Sequence, residues 1–314
     1  MSSALLSRVA ESIFWIGRYV ERAEGTARIL DVTVYQALEQ SGGASDESSR
    51  RLLAVMGIPA DDTALDLWRV TERLACDPTS RSSIVGAVAA ARENTRAVRH
   101  VIPVELWERI NATWMELPAR WEQARLIGPA SFLAFVKTQT AAITGLADTT
   151  MSRDQTWHFF ALGRSLERTD VVARQLASLL IDETPESGLV MLLRSCGGYE
   201  PYLRHSQGVV EAGRVLHFIM CDRLFPRSAI ASLTVAGTCL EQLSGARTDE
   251  WDEARALVGM ARAELEYVSP AALVGDLQSR LERLQRTISL VSDLATRRYF
   301  AHDLPVEWQM RAGS

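Results

Sequence analysis

Residues 13–30 read IFWIGRYVERAEGTARIL and residues 159–176 read FFALGRSLERTDVVARQL, and the two align without a gap at an offset of 146. Gly17 and Arg18 fall on Gly163 and Arg164, Glu21-Arg22 on Glu167-Arg168, Glu24 on Asp170, and Arg28 on Arg174. At about 100° per residue, a helix gathers Gly17, Arg18, Glu21, Glu24, Gly25 and Arg28 within about 120° of one face, with Arg22 at its edge. Ile13, Ile16, Val20, Ala23, Ala27, Leu30 and Val34 recur at helical spacing as an apolar face. A chain that writes one charged helix twice is constrained to a repeated helical architecture.

The repetition extends beyond that helix. Val70 to Asp77 (VTERLACD) matches Val215 to Asp222 (VLHFIMCD) at an offset of 145. One inserted residue then restores 146, so that Arg81-Ser82 falls on Arg227-Ser228 and Ile84 on Ile230. Ile143 and Asp148 match Ile288 and Asp293 at 145. Alternating strand patterns and Asn-Gly or Asp-Gly hairpin turns are absent. The expected fold is all-α: an internally duplicated bundle of two units of about six helices related by a pseudo-two-fold axis. The units are 1–150 and 151–302, followed by a tail, 303–314.

The first helix is expected from near Ser3 to Ser41-Gly42-Gly43, and its second copy to stop near Ser187-Gly188. Further helices are expected over 47–57, 61–76, 81–100, 103–126, 130–150, 152–182, 187–206, 208–222, 227–245, 248–268 and 270–301. Pro103, Pro226 and Pro270 suit first-turn or pre-helix positions. Residues 145–160 contain no proline-rich or glycine-rich linker, which predicts a shared interface between the units.

Composition excludes several function classes. The net charge is −5, against the electrostatic footprint of a general nucleic-acid binder. The single lysine, Lys137, has no Gly-rich loop beside it, so P-loop chemistry has no support. No apolar run approaches the roughly 18–20 residues of a membrane span. Arg8, Glu11 and Arg18 interrupt any secretory apolar region, and a cytoplasmic protein is expected. Cys76, Cys196, Cys221 and Cys239 are widely spaced and read as buried free thiols. His100, His158, His205, His217 and His302 show no metal-binding spacing, so neither a metal nor a cofactor is expected. No nucleophile elbow or dinucleotide-binding loop is present.

The stripe itself admits three readings: a solvated face, a buried Arg–Glu network joining the copies, or an anion-binding cleft lined by guanidinium forks. Gly17 and Gly163 favour the last two. An exposed helix would prefer alanine by about 1 kcal/mol, and glycine makes sense where a backbone or ligand comes close. Glu24 with Arg28 and Asp170 with Arg174 are favourable i,i+4 pairs. The candidate ligand-contacting residues are Arg18, Glu21, Arg22, Glu24, Arg28, Arg164, Glu167, Arg168, Asp170 and Arg174. A second arginine-rich stretch, Arg92, Arg96 and Arg99 on one helical face, reads as solvated. Phe225 to Ser228 (FPRS) reads as a helix-start turn with Asp222 as a side-chain acceptor.

The segments LLSRVAESIFWIGRYVERAEGTARILDV, ARENTRAVR, LGRSLERTDVVAR and VLHFIMCDRLFPRS resemble the bacterial alpha-E family over about Leu5 to Phe300. The Glu-Arg motifs of that family correspond to Glu21-Arg22 and Glu167-Arg168. Residues His217 to Cys221 depart from a more aliphatic pattern in relatives. Members of the family are typically encoded beside, or fused to, a circularly permuted ATP-grasp protein. ATP-grasp enzymes join carboxylates to amines. The resemblance therefore implies a part in peptide or amide ligation, or in processing its product; the leading expectation is an accessory partner of an ATP-grasp ligase, offering an Arg/Glu-lined cleft to a peptide, a carboxylate or the ligase. It carries over no catalytic residue. The alternatives are an enzyme with Glu21 or Glu167 as general base, and a purely structural scaffold.

Overall fold

The computed structural model describes residues 7–39, 46–59, 66–179, 186–245 and 252–300. The described residues are helical throughout, without strands. The first half contains α1 (Ser7–Glu39), α2 (Asp46–Val55), α3 (Leu67–Cys76), α4 (Ile84–Ala97), α5 (Val104–Ile127) and α6 (Ala130–Thr150). The second contains α7 (Gln155–Leu179), α8 (Glu186–Ser195), α9 (Tyr199–Ser206), α10 (Ala212–Cys221), α11 (Ala229–Ser244), α12 (Glu253–Tyr267), α13 (Pro270–Gly275) and α14 (Leu277–Ala295). A short π turn, Thr296–Phe300, extends α14.

The long helices α1 and α7 pack on each other at the centre. Helices α4 and α6 flank α1, and α5 joins them; α11 and α14 flank α7, and α12 joins them. The shorter helices cross over, α2 lying on α7 and α8 on α1. The expected apolar face of α1 is buried from Ile13 to Leu30, and Val34 is half-buried. The charged face is buried too, because Arg18, Glu21 and Glu24 are covered by α7 and its neighbours. A helix whose middle is buried on both its apolar and its charged face belongs at the centre of a bundle. One cluster of buried side chains runs from Ala10 to Phe300, where Phe300 packs on Phe14 and Phe159.

Several expectations need correction. α7 is described as far as Leu179, and Ser187-Gly188 lies inside α8 instead of terminating a helix. The expected helix 187–206 is broken at Gly197-Gly198, where Gly197 takes a φ of 68°. The expected helix 270–301 is divided at Asp276 into α13 and α14. α4 ends at Ala97, so Arg99 lies past the helix. Cys76 is half-exposed, whereas Cys196, Cys221 and Cys239 are buried free thiols. The expected ends of α1 at Ser3 and Ser41-Gly42-Gly43, and the tail 303–314, lie outside the described residues.

The inserted residue is also unnecessary. Ser83 caps α4 by accepting from the Gly86 N–H (2.9 Å), and Ser228 caps α11 by accepting from the Ala231 N–H (3.1 Å). Each hydroxyl also donates to the carbonyl six residues before it, Asp77 or Asp222, at 2.5 Å. The matching serines are therefore Ser83 and Ser228, and Arg227 falls on Ser82, not on Arg81.

Candidate functional site

The site is the seam between α1 and α7, and glycine sets its width. A methyl group at Gly17 would lie 2.1 Å from the Phe160 carbonyl oxygen, and one at Gly163 would lie 2.1 Å from that of Phe14. No other residue permits so close a backbone approach. Farther along, Gly25 faces Val171. The contacts progress in the same order along both helices, so α1 and α7 run side by side in one direction.

This approach lets each Glu-Arg pair reach across. Arg22 grips Glu167 with two bonds, Nε to Oε1 at 2.5 Å and Nη2 to Oε2 at 2.9 Å. Arg168 grips Glu21 in the same way, at 2.7 and 2.5 Å. Arg18 adds a bond from Nε to Glu167 Oε2 (2.8 Å) and one from Nη1 to Ser292 Oγ (2.7 Å). Arg227 donates to Glu24 Oε1 (3.0 Å) and Glu21 Oε1 (3.4 Å). Both Glu21 and Glu167 are only 2 % exposed. Bidentate, charge-assisted bonds of this kind fix orientation as well as distance.

The pattern of residues 5–300 matches the Alpha-E model, described as a predicted alpha-helical domain with a conserved ER motif. The chain belongs to the Alpha-E family. It is similar to the uncharacterized protein Mb2597 of Mycobacterium bovis and to the uncharacterized proteins MT2643 and Rv2567 of Mycobacterium tuberculosis, each 25 % identical over 321 residues. Those matches cover 92 % of this chain but 36 % of each relative, so the chain spans about a third of their length. No solved structure matches. In this Alpha-E protein the two Glu-Arg dipeptides form one motif in space, each half supplying the arginine that holds the other's glutamate.

The remaining candidates occupy the arms of the seam. Arg28 pairs with Glu24 (2.9 Å) and Arg174 with Asp170 (2.7 Å), the i,i+4 pairs expected. Arg174 also donates to the Val55 carbonyl at the end of α2 (3.0 Å). Arg164 turns away from the centre to Asp148, at 3.1 and 3.3 Å. All ten candidate residues thus lie on the two central helices, but only Glu21, Arg22, Glu167 and Arg168 form the reciprocal forks, joined by Arg18 at Glu167; Glu24, Arg28, Arg164, Asp170 and Arg174 stand outside them.

Arg227 was missed as a member. Its FPRS segment does form the expected turn, with Asp222 Oδ1 accepting from the Leu224 and Phe225 N–H groups, and the turn delivers the guanidinium to the seam. The signal in the sequence was an arginine immediately before a capping serine.

The arrangement holds its charges firmly. Burial pushes the Glu21 carboxyl up, but Arg168 and Arg227 overcome it and hold the group down at about 2. Burial likewise opposes ionisation of Glu167, and Arg18 and Arg22 bring it below the usual range. Burial lowers Arg227, and Arg168 and Arg28 add to that against the pull of Glu21 and Glu24.

A cavity of about 10 Å³ lies among Glu21, Arg28, Arg168, Gln175, Cys196 and Arg227, which is room for about one water. The stripe is therefore a buried network and not a solvated face. The forks an exogenous anion would need at its centre are already filled by Glu21 and Glu167. Burial pushes the Cys196 and Cys221 thiols up to about 11 and those of Cys76 and Cys239 up to about 12, away from nucleophilic use. Lys137 is paired with Asp31 at 2.6 Å. Among the described residues no group of three or more His, Cys, Asp or Glu side chains could hold a metal, and no helix is long and apolar enough to cross a membrane.

Proposed function

We propose that this chain is a non-catalytic helical module, formed by duplication of a six-helix unit about a pseudo-two-fold axis, that serves as the accessory partner of an ATP-grasp ligase in peptide or amide ligation. The units are 1–150 and 151–302. In this reading the Arg/Glu seam joins the units and keeps their outer surfaces in a fixed relation. Ligands and the ligase engage those surfaces.

The observation that carries the non-catalytic reading is the condition of the two glutamates. A general base works best with a pKa near the operating pH and within hydrogen-bond reach of its proton. Glu21 is held at about 2, Glu167 lies below the usual range, and guanidiniums occupy both oxygens of each. Neither geometry nor acidity favours the alternative of an enzyme using Glu21 or Glu167. The partner reading rests on the family resemblance. It is supported by relatives in which the matched region makes up 36 % of a longer chain, as expected of a module that works with other domains.

The test is co-purification of the full chain with a tagged ATP-grasp ligase from the same bacterium, with and without ATP. Stoichiometric co-elution is expected, and its absence in both conditions overturns the partnership. Arg22→Ala/Arg168→Ala is the control and should lose association together with native circular dichroism. Glu21→Gln, assayed where it remains folded, should leave the ligation rate unchanged. A lost rate with the fold intact would instead identify a catalytic glutamate.

A further inference from the structure

The two halves differ most at two short helices. The connection from α5 to α6 is Gly128-Pro129, whereas that from α12 to α14 carries the extra helix α13. Helix α9 stands between α8 and α10, while the described residues between α2 and α3 form no helix. In repeat-built proteins, insertions into the repeat gather on one face, often the binding face. Here α9 and α13 both lie against α10. Together the three helices enclose a cleft of about 970 Å³ that opens to solvent. That volume lies in the range of small-molecule and cofactor sites, about 300–1,000 Å³.

The floor of the cleft is aromatic. Phe218 and Tyr202 are buried and meet edge to face with centroids 5.4 Å apart, and Phe225 stacks beneath Phe218 at 4.6 Å. Val274 of α13 forms the facing wall and is 49 % exposed.

The polar lining includes Glu211, Arg214, Asp222 and the imidazoles of His205 and His217. Arg214 is spent on Glu211 at 3.0 Å. Asp222 forms no ion pair among the described residues. Its Oδ1 is fixed by the Leu224 and Phe225 N–H groups at 2.7 and 3.0 Å. Ser206 also belongs to the lining, but its Oγ is buried behind it and forms no hydrogen bond.

We propose that this cleft binds an organic ammonium. The apolar or aromatic body of the ligand rests on the lining around Phe218, Tyr202 and Val274, and the ammonium faces the Asp222 carboxylate. An anion would meet the Asp222 carboxylate, and Arg214, the guanidinium of the lining, is already paired with Glu211. Aromatic faces and a carboxylate both favour a cation. A peptide's terminal ammonium and a free amine share this chemistry. The site needs no ligase and is tested on the purified chain alone.

The experiment is calorimetric titration of the full chain at pH 8 with 2-phenylethylamine, 2-phenylethanol and 3-phenylpropionate. The amine should bind at least about tenfold more tightly than the other two, as expected for one charge-assisted contact. Asp222→Asn keeps the Oδ1 acceptor for the loop and should remove that preference. Val274→Trp, at a half-exposed wall position, should abolish binding of the amine even if Asp222→Asn does not fold. Phenylalanyl-leucine amide and its N-acetyl form separate the two sources: tighter binding of the free peptide than of the amine assigns a chain end, and equal binding assigns a free amine. No binding of any probe at millimolar concentration, a preference for the anion, or an unchanged preference in folded Asp222→Asn would overturn the proposal.

Discussion

Glu21 and Glu167 occupy equivalent places on α1 and α7, yet their surroundings differ in one respect. Each receives a two-bond fork from the arginine of the opposite Glu-Arg pair. The second guanidinium comes from different places. At Glu167 it is Arg18, on α1 itself, and at Glu21 it is Arg227, from the turn before α11. Arg164, the counterpart of Arg18, is drawn off by the Asp148 carboxylate on α6. Arg18 finds only the Ser292 hydroxyl on α14 and stays at the seam. Ser82, in the place of Arg227, carries no charge. The reciprocal forks are the constant of the design, and the second cation comes from whichever neighbour is not otherwise engaged.

The largest effects should come from removing a glutamate. Glu167→Gln leaves Arg18 and Arg22 facing a neutral amide, whereas after Glu21→Gln, Arg227 still has Glu24 at 3.0 Å. Breaking a buried pair from one side costs about 3–5 kcal/mol. Both variants should fall in that range in urea unfolding, with Glu167→Gln the more damaging. Equal losses would show that Arg227 and Arg18 are interchangeable.

Acid probes the same contrast. The folded Glu21 carboxyl sits near about 2 against an ordinary 4.5, so its contribution to stability is present above 4.5 and lost as pH falls from there toward 2. The urea midpoint of the protein should drop through that window, and Glu21→Gln should flatten the drop. A midpoint that falls as steeply in the variant would assign acid sensitivity elsewhere.

Next come the glycines. Gly17→Ala and Gly163→Ala each force a methyl group to 2.1 Å from a backbone oxygen, and the helices must part. Overpacking of this kind costs about 1–3 kcal/mol, outweighing the roughly 1 kcal/mol alanine gains in a helix. Gly25→Ala meets a side-chain carbon of Val171 at 2.9 Å instead, which can shift, so its loss should be smaller. Thermal melts of the three variants check the order, and a neutral Gly17→Ala would deny that the seam is as close as described.

Much of the seam was legible because its cause is local. A glycine inside a charged helical stripe signals a backbone contact wherever the partner lies, and the Glu24–Arg28 and Asp170–Arg174 pairs need only helical spacing. Arg227 was not legible. It meets Glu21 from 206 residues away, and its own neighbours describe only a turn. The breaks at Gly197-Gly198 and Asp276 were passed over because apolar spacing continues on both sides, and periodicity registers the face of a helix better than its interruption. The large cleft escaped for a related reason. Its walls, α9 and α13, are what the repeat does not predict, and only the packing of both on α10 brings Tyr202, Phe218 and Val274 together.

The smallest effects concern the two serines that cap α4 and α11. Ser83 and Ser228 are fully buried, and each hydroxyl both accepts from its helix and donates to the carbonyl of Asp77 or Asp222. Ser83→Ala and Ser228→Ala should each cost about 0.5–2 kcal/mol, the usual worth of a helix cap, and by similar amounts. Ser82→Ala, which removes no cap, should stay within about 0.5 kcal/mol, the range of substitutions away from such features. A silent Ser83→Ala together with a loss in Ser82→Ala would deny the cap at Ser83. Chemical denaturation of the three single variants checks this. The Glu167 end lacks a loop arginine because Ser82 stands in the place of Arg227, while Arg81 points to the Tyr19 hydroxyl at 3.2 Å.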